Sequence, residues 1–431
     1  MKVNKFIILL IIVTLILSFT LILNFTLTSN SSLTSSANLV QTNKIYLAWK
    51  NSEDVVAYEM EVMTKPYKPN ASVPTEEIVY HTVDIFTPGI ELDLNQLNIE
   101  NIDKTYYRIR PLDLNRKPLA IFSEPMPLSN GQLNPTKPQP TALFNTNRPV
   151  PLYPTYSWIP VLGAEHYVVE VTKDAPENPN GISPSIKRVR SYTVNEGFDC
   201  YDTHAYVEEG TYYWRVIALN SYYHPIGTYS DAIPFHVSVK HYTWAVFGDS
   251  ITHGGGAVSN SPSDIRFDFS SYIPYEIKNL GKSGDSVESL VERFNSDVLP
   301  FRPKYLFILV SGNNIRGGTK AEDVIKQFQR LIKKCEQNDI TPLFLTIPPI
   351  NPDRIEQVFH KTSTTDWQNQ TDIVNNFLKS QQYVIDVNPL LSDNNGFLPP
   401  IYSQDGLHPD ISGKKIMADA IIRFFHTFDR I

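Results

Sequence analysis

Three hydrophobic patterns follow one another along the chain. An apolar run over residues 6–27 is interrupted only by isolated Ser, Thr and Asn residues. Over residues 44–238, short apolar runs alternate with Pro and Gly and show no helical period, which predicts an all-β region. From Tyr242 onwards, apolar strands alternate with helical stretches. This last pattern predicts a parallel sheet covered by helices on both faces.

The first apolar run has the features of a membrane anchor. Lys2 and Lys5 precede it, and its 22 residues can cross a hydrocarbon core of about 30 Å as a helix. We therefore predict a transmembrane anchor within residues 1–28, with a cytoplasmic N-terminus and an extracytoplasmic remainder. Cleavage near Ala37, which would release a secreted protein, stays open, whereas a buried core helix is disfavoured. Residues 29–43, rich in Ser, Thr and Asn, are predicted to be a tether.

The β region repeats itself with a period of a little over one hundred residues. Trp49 and Tyr58 recur as Trp158 and Tyr167, nine residues apart in both cases. A repeat of this length is a whole domain, so we predict two β-sandwiches, over residues 44–132 and 142–238, joined by a linker over 133–141. The strand rhythm resembles fibronectin type III modules. We expect the tryptophans to lie in the cores of the sandwiches, which favours a spacing role for these two domains. Glycan binding by the sandwiches and a part in shaping the substrate cleft stay open.

The region from residue 240 to residue 431 is predicted to be one α/β domain. Its strands are expected over residues 244–247, 275–280, 305–310, 343–347 and 383–387. Its main helices are expected over residues 321–337, 367–380 and about 412–425. Parallel sheets place their active sites at the carboxyl ends of the strands. The long connection over residues 348–365 is expected to be an active-site loop that influences substrate choice.

Three residues in this region carry the chemistry of a nucleophilic hydrolase. Ser250 follows an apolar strand and a glycine, which exposes its hydroxyl at the end of the strand. A serine hydroxyl needs an imidazole to accept its proton, and the imidazole needs a carboxylate to fix its tautomer. Asp405 and His408 have the residue types and the spacing for these two tasks.

Four sequence blocks occur in the order found in a known family. They are Gly-Asp-Ser-Ile-Thr at 248–252, a Gly-rich block at 279–286, Gly-x-Asn at 312–314 and Asp-x-x-His at 405–408. Together they resemble the SGNH (GDSL) hydrolase family and its three-layer flavodoxin-like fold.

The resemblance implies a role for each residue of the site. Ser250 is then the nucleophile, and His408 is the base oriented by Asp405. The resemblance also implies an oxyanion hole formed by the N–H groups of Ser250 and Gly284 and by the side-chain amide of Asn314. Ile315 stands where the family often has an aspartate.

Two neighbours of the serine have less specific roles. Asp249 is expected to form a turn or a structural hydrogen bond rather than belong to the triad. His253 could line the pocket or lie in a solvated loop.

Composition excludes several classes of partner. The 431 residues carry a formal net charge of −7, which leaves no basic surface for nucleic acid or anionic lipid. Cys200 and Cys335 fall in different domains, so we expect no disulfide framework. Metal-binding motifs and phosphate loops are missing, so we expect no metal and no other cofactor.

The sequence therefore predicts an extracytoplasmic serine esterase. It is expected to remove acyl groups, O-acetyl above all, from an ester-bearing small molecule or an acylated polysaccharide. A lipase is less favoured because no extended apolar lid surrounds the motifs. The alternative is a surface adhesion or glycan-binding protein whose hydrolase domain is a catalytically silent scaffold.

Overall fold

The structure is a computed structural model, and it describes residues 43–133, 137–144, 148–257, 260–310 and 312–428. The predicted membrane anchor and the tether up to residue 42 lie outside the described residues. None of the helices in these ranges combines the length and the apolar character that a membrane span requires.

The first β domain consists of two antiparallel sheets. One has the strand order β4-β1-β7 and the other the order β3-β2-β5-β6. The core between them contains Leu47, Met60, Val62 and Tyr107. The strands are β1 (Lys44–Ala48), β2 (Ala57–Met63), β3 (Ile78–Ile85), β4 (Gly89–Asp93), β5 (Tyr106–Leu112), β6 (Met126–Pro127) and β7 (Gln132–Leu133).

The second β domain has a similar two-sheet arrangement. Its sheets have the orders β12-β9-β8 and β11-β10-β13-β14, and β15 pairs with β13. Trp158 and Trp214 are completely buried between them, as predicted. The strands are β8 (Gln139–Pro140), β9 (Thr155–Ile159), β10 (His166–Lys173), β11 (Arg188–Asn195), β12 (Asp199–Tyr201), β13 (Gly210–Leu219), β14 (Pro225–Ile226) and β15 (Ile233–Val237). Strands β7 and β8 thus occupy the two ends of the predicted linker.

The repeat in the sequence corresponds to repeated contacts. The ring centroids of Trp49 and Tyr58 lie 5.2 Å apart, and the ring centroids of Trp158 and Tyr167 lie 5.0 Å apart. Each domain also pairs a buried arginine with the glutamate directly opposite on the neighbouring strand: Arg108 with Glu61 at 2.7 Å, and Arg215 with Glu170 at 3.3 Å. The two domains are therefore built on one plan, while their relationship to fibronectin type III modules stays a prediction.

The C-terminal domain is built on a parallel sheet with the strand order β17-β16-β18-β19-β20. Its strands are β16 (Trp244–Gly248), β17 (Ile277–Asn279), β18 (Tyr305–Leu309), β19 (Thr341–Leu345) and β20 (Val384–Ile385). The α-helices are α1 (Ser250–His253), α2 (Val287–Asp297), α3 (Asn313–Arg316), α4 (Ala321–Glu336), α5 (Pro352–Phe359), α6 (Trp367–Lys379), α7 (Asn388–Leu391) and α8 (Ile411–Phe428).

Successive strand residues point to opposite faces of this sheet, so both faces bear a hydrophobic core. Phe247 and Ile308 face one core, which α2 and α4 cover. Val246 and Phe307 face the other core, which α8 covers. This arrangement confirms the predicted parallel sheet with helices on both sides.

Several predicted boundaries are wrong. The strand predicted over 343–347 is Thr341–Leu345. The buried run continues to Ile347, whose N–H donates to the Asn375 side chain and not to a neighbouring strand. The predicted loop over 348–365 contains α5, which begins after Asn351, whose side chain accepts a hydrogen bond from the Arg354 N–H. Hydropathy does not reveal where ladder hydrogen bonds stop, and Pro352 at the start of a helix resembles a loop residue in the sequence.

Candidate active site

The nucleophile candidate lies at a sharp strand-to-helix turn. Strand β16 ends at Gly248, where an added Cβ would meet the Leu309 carbonyl oxygen. Asp249 then begins α1 by accepting a hydrogen bond from the Ile251 N–H at 3.0 Å. This contact confirms a structural role for Asp249 and places Ser250 at the start of the helix.

Ser250, His408 and Asp405 come together although the serine is 158 residues from the histidine in the sequence. The His408 Nε2 atom lies 2.9 Å from the Ser250 Oγ atom, and its Nδ1 atom lies 2.8 Å from Asp405 Oδ2. The other carboxylate oxygen accepts hydrogen bonds from the backbone N–H groups of Leu407 and His408. This line of contacts has the geometry that a Ser-His-Asp triad requires.

The electrostatics favour an ionised Asp405. Burial by itself raises the pKa of this carboxyl, but the nearby His408 ring and the backbone N–H groups outweigh burial and hold the pKa below its usual value. An ionised carboxylate accepts a hydrogen bond from the Nδ1–H group of the imidazole and so keeps the proton on that nitrogen. The Nε2 lone pair is then directed at the serine hydroxyl, as a base requires.

Backbone N–H groups are available beside the serine. Gly284 lines the same cleft as Ser250, and its φ of +87° belongs to the region that favours glycine. Among the described residues, nothing accepts a hydrogen bond from the N–H groups of Ser250 or Gly284. Both groups can therefore donate to an oxyanion.

The structure does not place the Asn314 amide in this cleft, contrary to prediction. Asn314 is buried, its Nδ2 donates to Glu288 at 2.8 Å, and its Oδ1 accepts from the Val287 N–H at 3.0 Å. Asn313 lines the cleft instead. The reason is the short helix α3, in which adjacent side chains diverge by about 100°. Ile315 is buried in the core, so an aspartate there would be desolvated.

His253 neither lines the catalytic cleft nor lies in solvent, so both sequence interpretations are wrong. Its Nε2 atom lies 2.6 Å from the Tyr153 carbonyl oxygen, and its Nδ1 atom lies 2.8 Å from Ser283 Oγ. Burial lowers the pKa of His253 to about 4, so the ring is neutral. This histidine connects the start of the second β domain to the residue before Gly284.

Arg293, on α2, is a supporting residue that the sequence analysis missed. Its guanidinium donates to the carbonyl oxygens of Gly248 and Leu280, both at 2.9 Å. It also forms ion pairs with Asp285 and Asp297. Arg293 thereby joins the ends of β16 and β17, which carry the serine and the glycine of the site. The available signal was an arginine among the apolar positions of a helix.

Replacing Arg293 with Met is expected to lower the free energy of unfolding by about 3–5 kcal/mol, because it leaves two buried carboxylates without their cation. Denaturant unfolding measures the effect. Arg330→Met, on the exposed face of α4, is the matched control and should change stability by less than about 0.5 kcal/mol. A difference below about 1 kcal/mol between the two variants would contradict this role.

Both β domains form walls of the catalytic cleft. The cleft has a volume of about 580 Å³ and contains Ser250 and His408. The first β domain contributes Val56, Phe86 and Leu114, and the second contributes Phe198, Asp199 and Tyr201. The hydrolase domain contributes Arg316, Val358, Phe359 and Lys361, so the segment 348–365 does border the site as predicted.

The first β domain also contacts the loop that carries the triad acid. The Gln404 side chain accepts a hydrogen bond from the Leu114 N–H at 2.7 Å and donates to the Asp54 carbonyl oxygen. Gln404 directly precedes Asp405. The backbone of the triad loop is therefore held from outside the hydrolase domain.

One cluster of metal-ligating side chains occurs among the described residues. It consists of Glu59, Glu61 and His81 in the first β domain. Both glutamates form ion pairs with arginines, Glu59 with Arg110 and Glu61 with Arg108. Since these cations already neutralise the carboxylates, we assign no metal to the cluster.

The comparisons with known proteins concern the same part of the chain. The model of the GDSL-like Lipase/Acylhydrolase family matches residues 246–416, which include Ser250, Gly284 and His408. No curated protein matches the chain.

Similar solved structures cover the C-terminal domain. A lipase/acylhydrolase from Enterococcus faecalis is 20% identical and covers 43% of this chain and 94% of its own, with a TM-score of 0.34. A GDSL-like lipase from Bacteroides thetaiotaomicron is 20% identical, with coverages of 43% and 88% and a TM-score of 0.36. An acetylxylan esterase from Geobacillus stearothermophilus is 19% identical, with coverages of 43% and 94% and a TM-score of 0.32.

The family match includes Ser250, Gly284 and His408, which the fold brings together at one edge of the sheet. The C-terminal part of this chain is therefore a GDSL-like lipase/acylhydrolase domain, and the protein is a serine ester hydrolase.

Proposed function

We propose that the protein hydrolyses acyl esters through a covalent acyl-enzyme in which Ser250 is the nucleophile. The Ser250 oxygen attacks the ester carbonyl while its proton passes to His408 Nε2. The alcohol leaves with that proton, and water then attacks the acyl-enzyme and releases the acid. Asp405 orients the imidazole throughout. The observation that carries the proposal is the continuous line of contacts at 2.9 Å and 2.8 Å.

The tetrahedral intermediates carry a negative oxygen that needs donors. The N–H groups of Ser250 and Gly284 and the Asn313 side-chain amide are the proposed donors, since all three residues line the cleft. Asn313 Nδ2 donates to the Asp285 carbonyl oxygen at 3.1 Å. A side-chain amide has two N–H bonds, so one of them remains for the oxyanion.

The proposed substrate is an O-acetylated carbohydrate. An acetyl group fills only a small part of the cleft, so most of the cleft is available to the alcohol side of the substrate. Asp199, Arg316 and Lys361 lie on its walls, and an extended apolar acyl chain would have to desolvate them. These features favour a polar alcohol and a short acyl group.

The proposed location is extracytoplasmic. The lysines ahead of the apolar run over residues 6–27 support a single membrane anchor with a cytoplasmic N-terminus. The enzyme would be secreted if this segment were cleaved. A catalytically silent scaffold is disfavoured by the aligned contacts of Ser250, His408 and Asp405.

The substrate proposal is tested with esters of different acyl length and with acetylated polymers. We expect the purified protein to cleave an aryl acetate at least about tenfold faster than the aryl octanoate. We also expect it to release acetate from O-acetylated polysaccharides such as xylan. Equal rates on the two aryl esters would contradict the acetyl preference. Cleavage of the aryl acetate without acetate release from any polymer would contradict the proposal that the substrate is a carbohydrate.

A further inference from the structure

We infer that Asp199 and the aromatic side chains beside it form a subsite for the sugar that carries the ester. This subsite lies on the wall that the second β domain contributes to the catalytic cleft. The inference rests on the proposed function, because it specifies how the alcohol part of a carbohydrate ester would be recognised.

Asp199 is a carboxylate without a partner in the lining of the catalytic cleft. It begins strand β12, which pairs with β9, and it lines the same cleft as Ser250 and His408. Within the described part of the chain, its side chain forms no hydrogen bond and no ion pair. Burial raises the pKa of Asp199 to about 6. Partly burying such a group costs free energy unless donors satisfy it, and sugar hydroxyls are suitable donors.

Aromatic rings line the same cleft as this carboxylate. Phe198 and Tyr201 belong to the same segment, and Phe86 reaches the cleft from the first β domain. The Tyr201 hydroxyl donates to the Ser261 carbonyl oxygen at 2.9 Å, which fixes the ring. The Arg116 guanidinium packs over Phe86 at 4.8 Å.

The combination of rings and carboxylate favours one class of ligand. Rigid rings can contact the apolar face of a sugar, while a carboxylate accepts hydrogen bonds from its hydroxyls. An acyl chain has no donor for the carboxylate, and an anionic group would be repelled by it. A neutral, hydroxyl-rich alcohol satisfies both features.

The aromatic wall continues beyond the catalytic cleft. Phe86 and Phe198 also line a groove of about 360 Å³ between the two β domains. Tyr80, Gln96 and Leu162 are among the other residues of this groove. Because both phenylalanines line both cavities, the two cavities are adjacent, and an oligosaccharide in the catalytic cleft would reach the groove by passing over these rings. We expect acetylated oligosaccharides to bind more tightly than acetylated monosaccharides.

The decisive variant is Asp199→Asn, which keeps the shape of the side chain and removes its charge. Its kcat/KM is measured on an aryl acetate and on O-acetylated xylo-oligosaccharides. We expect Asp199→Asn to lose a hydrogen bond between the sugar and a charged group. Its kcat/KM on the oligosaccharide, divided by its kcat/KM on the aryl acetate, should fall by about 10- to 100-fold relative to the wild type. Glu196→Gln removes an exposed carboxylate of the same domain that lines neither cavity, and it should leave the ratio unchanged.

A binding measurement separates recognition from catalysis. Calorimetry compares the affinity of Ser250→Ala for the oligosaccharide with that of the double variant Ser250→Ala, Asp199→Asn. The double variant should bind the oligosaccharide about 10- to 100-fold more weakly. Thermal unfolding checks that both proteins are folded. An unchanged ratio and an unchanged Kd in folded Asp199→Asn protein would overturn the subsite, even with carbohydrate esterase activity intact. If the wild type cleaves the aryl ester and no acetylated saccharide, the carbohydrate proposal fails, and the subsite fails with it.

Discussion

Replacing Ser250 with Ala should lower kcat for an aryl acetate by about 10⁴- to 10⁶-fold. The variant removes the oxygen that forms the covalent bond to the acyl group. Water activated by His408 is a poor substitute, since it is not held at the position of the Oγ atom. The residual rate then comes from the oxyanion donors and from substrate binding alone.

The experiment needs proof that the loss is chemical. Ser250 is small and buried, and alanine fits in the same space, so the melting temperature should stay within a few degrees of the wild type. Ser380→Ala removes an exposed hydroxyl at the end of α6 and should retain full activity. A Ser250→Ala protein with more than about one tenth of the wild-type rate would refute the acyl-enzyme mechanism.

Replacing Asn313 with Ala is expected to lower kcat by about 10²- to 10³-fold, with a smaller change in KM. The lost amide would donate to the oxygen that becomes negative only as the tetrahedral intermediate forms. Its effect therefore falls on the transition state more than on the bound ester. Asn313→Asp should be at least as damaging, because it keeps the shape of the side chain and replaces the donor with a negative charge.

Asn314→Ala provides the matched comparison, because the two asparagines are adjacent in sequence but point to different places. Asn314 accepts a hydrogen bond from the Val287 N–H and donates to Glu288. Its loss should reduce the free energy of unfolding by about 1–3 kcal/mol, with a much smaller effect on kcat. If Asn314→Ala instead loses kcat a hundredfold while Asn313→Ala resembles the wild type, the donor assignment must be reversed.

Much of the catalytic domain could be predicted from local patterns. The alternation of apolar strands and amphipathic helices predicted the parallel sheet, because a strand buried on both faces must be apolar throughout. The turn after Gly248 was visible because glycine tolerates the close approach of the Leu309 carbonyl oxygen. Asp405 and His408 were recognisable because so few residue types can hold and move a proton near neutral pH.

Side-chain direction could not be obtained in this way. Gly-x-Asn spacing pointed to Asn314, whereas in the short helix α3 it is Asn313 that faces the cleft. The predicted boundaries of β19 and α5 were wrong for a related reason. A buried segment is apolar whether its backbone pairs with a strand, belongs to a helix or does neither. His253 resembled a loop residue because its partners, Tyr153 and Ser283, are remote in sequence.

By itself, the sequence determined the β repeat, the α/β hydrolase region and the residue types of its chemistry, because these depend on short-range periodicity and on the functional groups present. The tertiary structure alone decided that Arg293 joins two strand ends, that Gln404 ties the triad loop to the first β domain, and that Phe86 and Asp199 line the cleft that contains the nucleophile. Such contacts join residues up to 350 positions apart. Their proximity follows from the packing of whole domains, which no local pattern encodes.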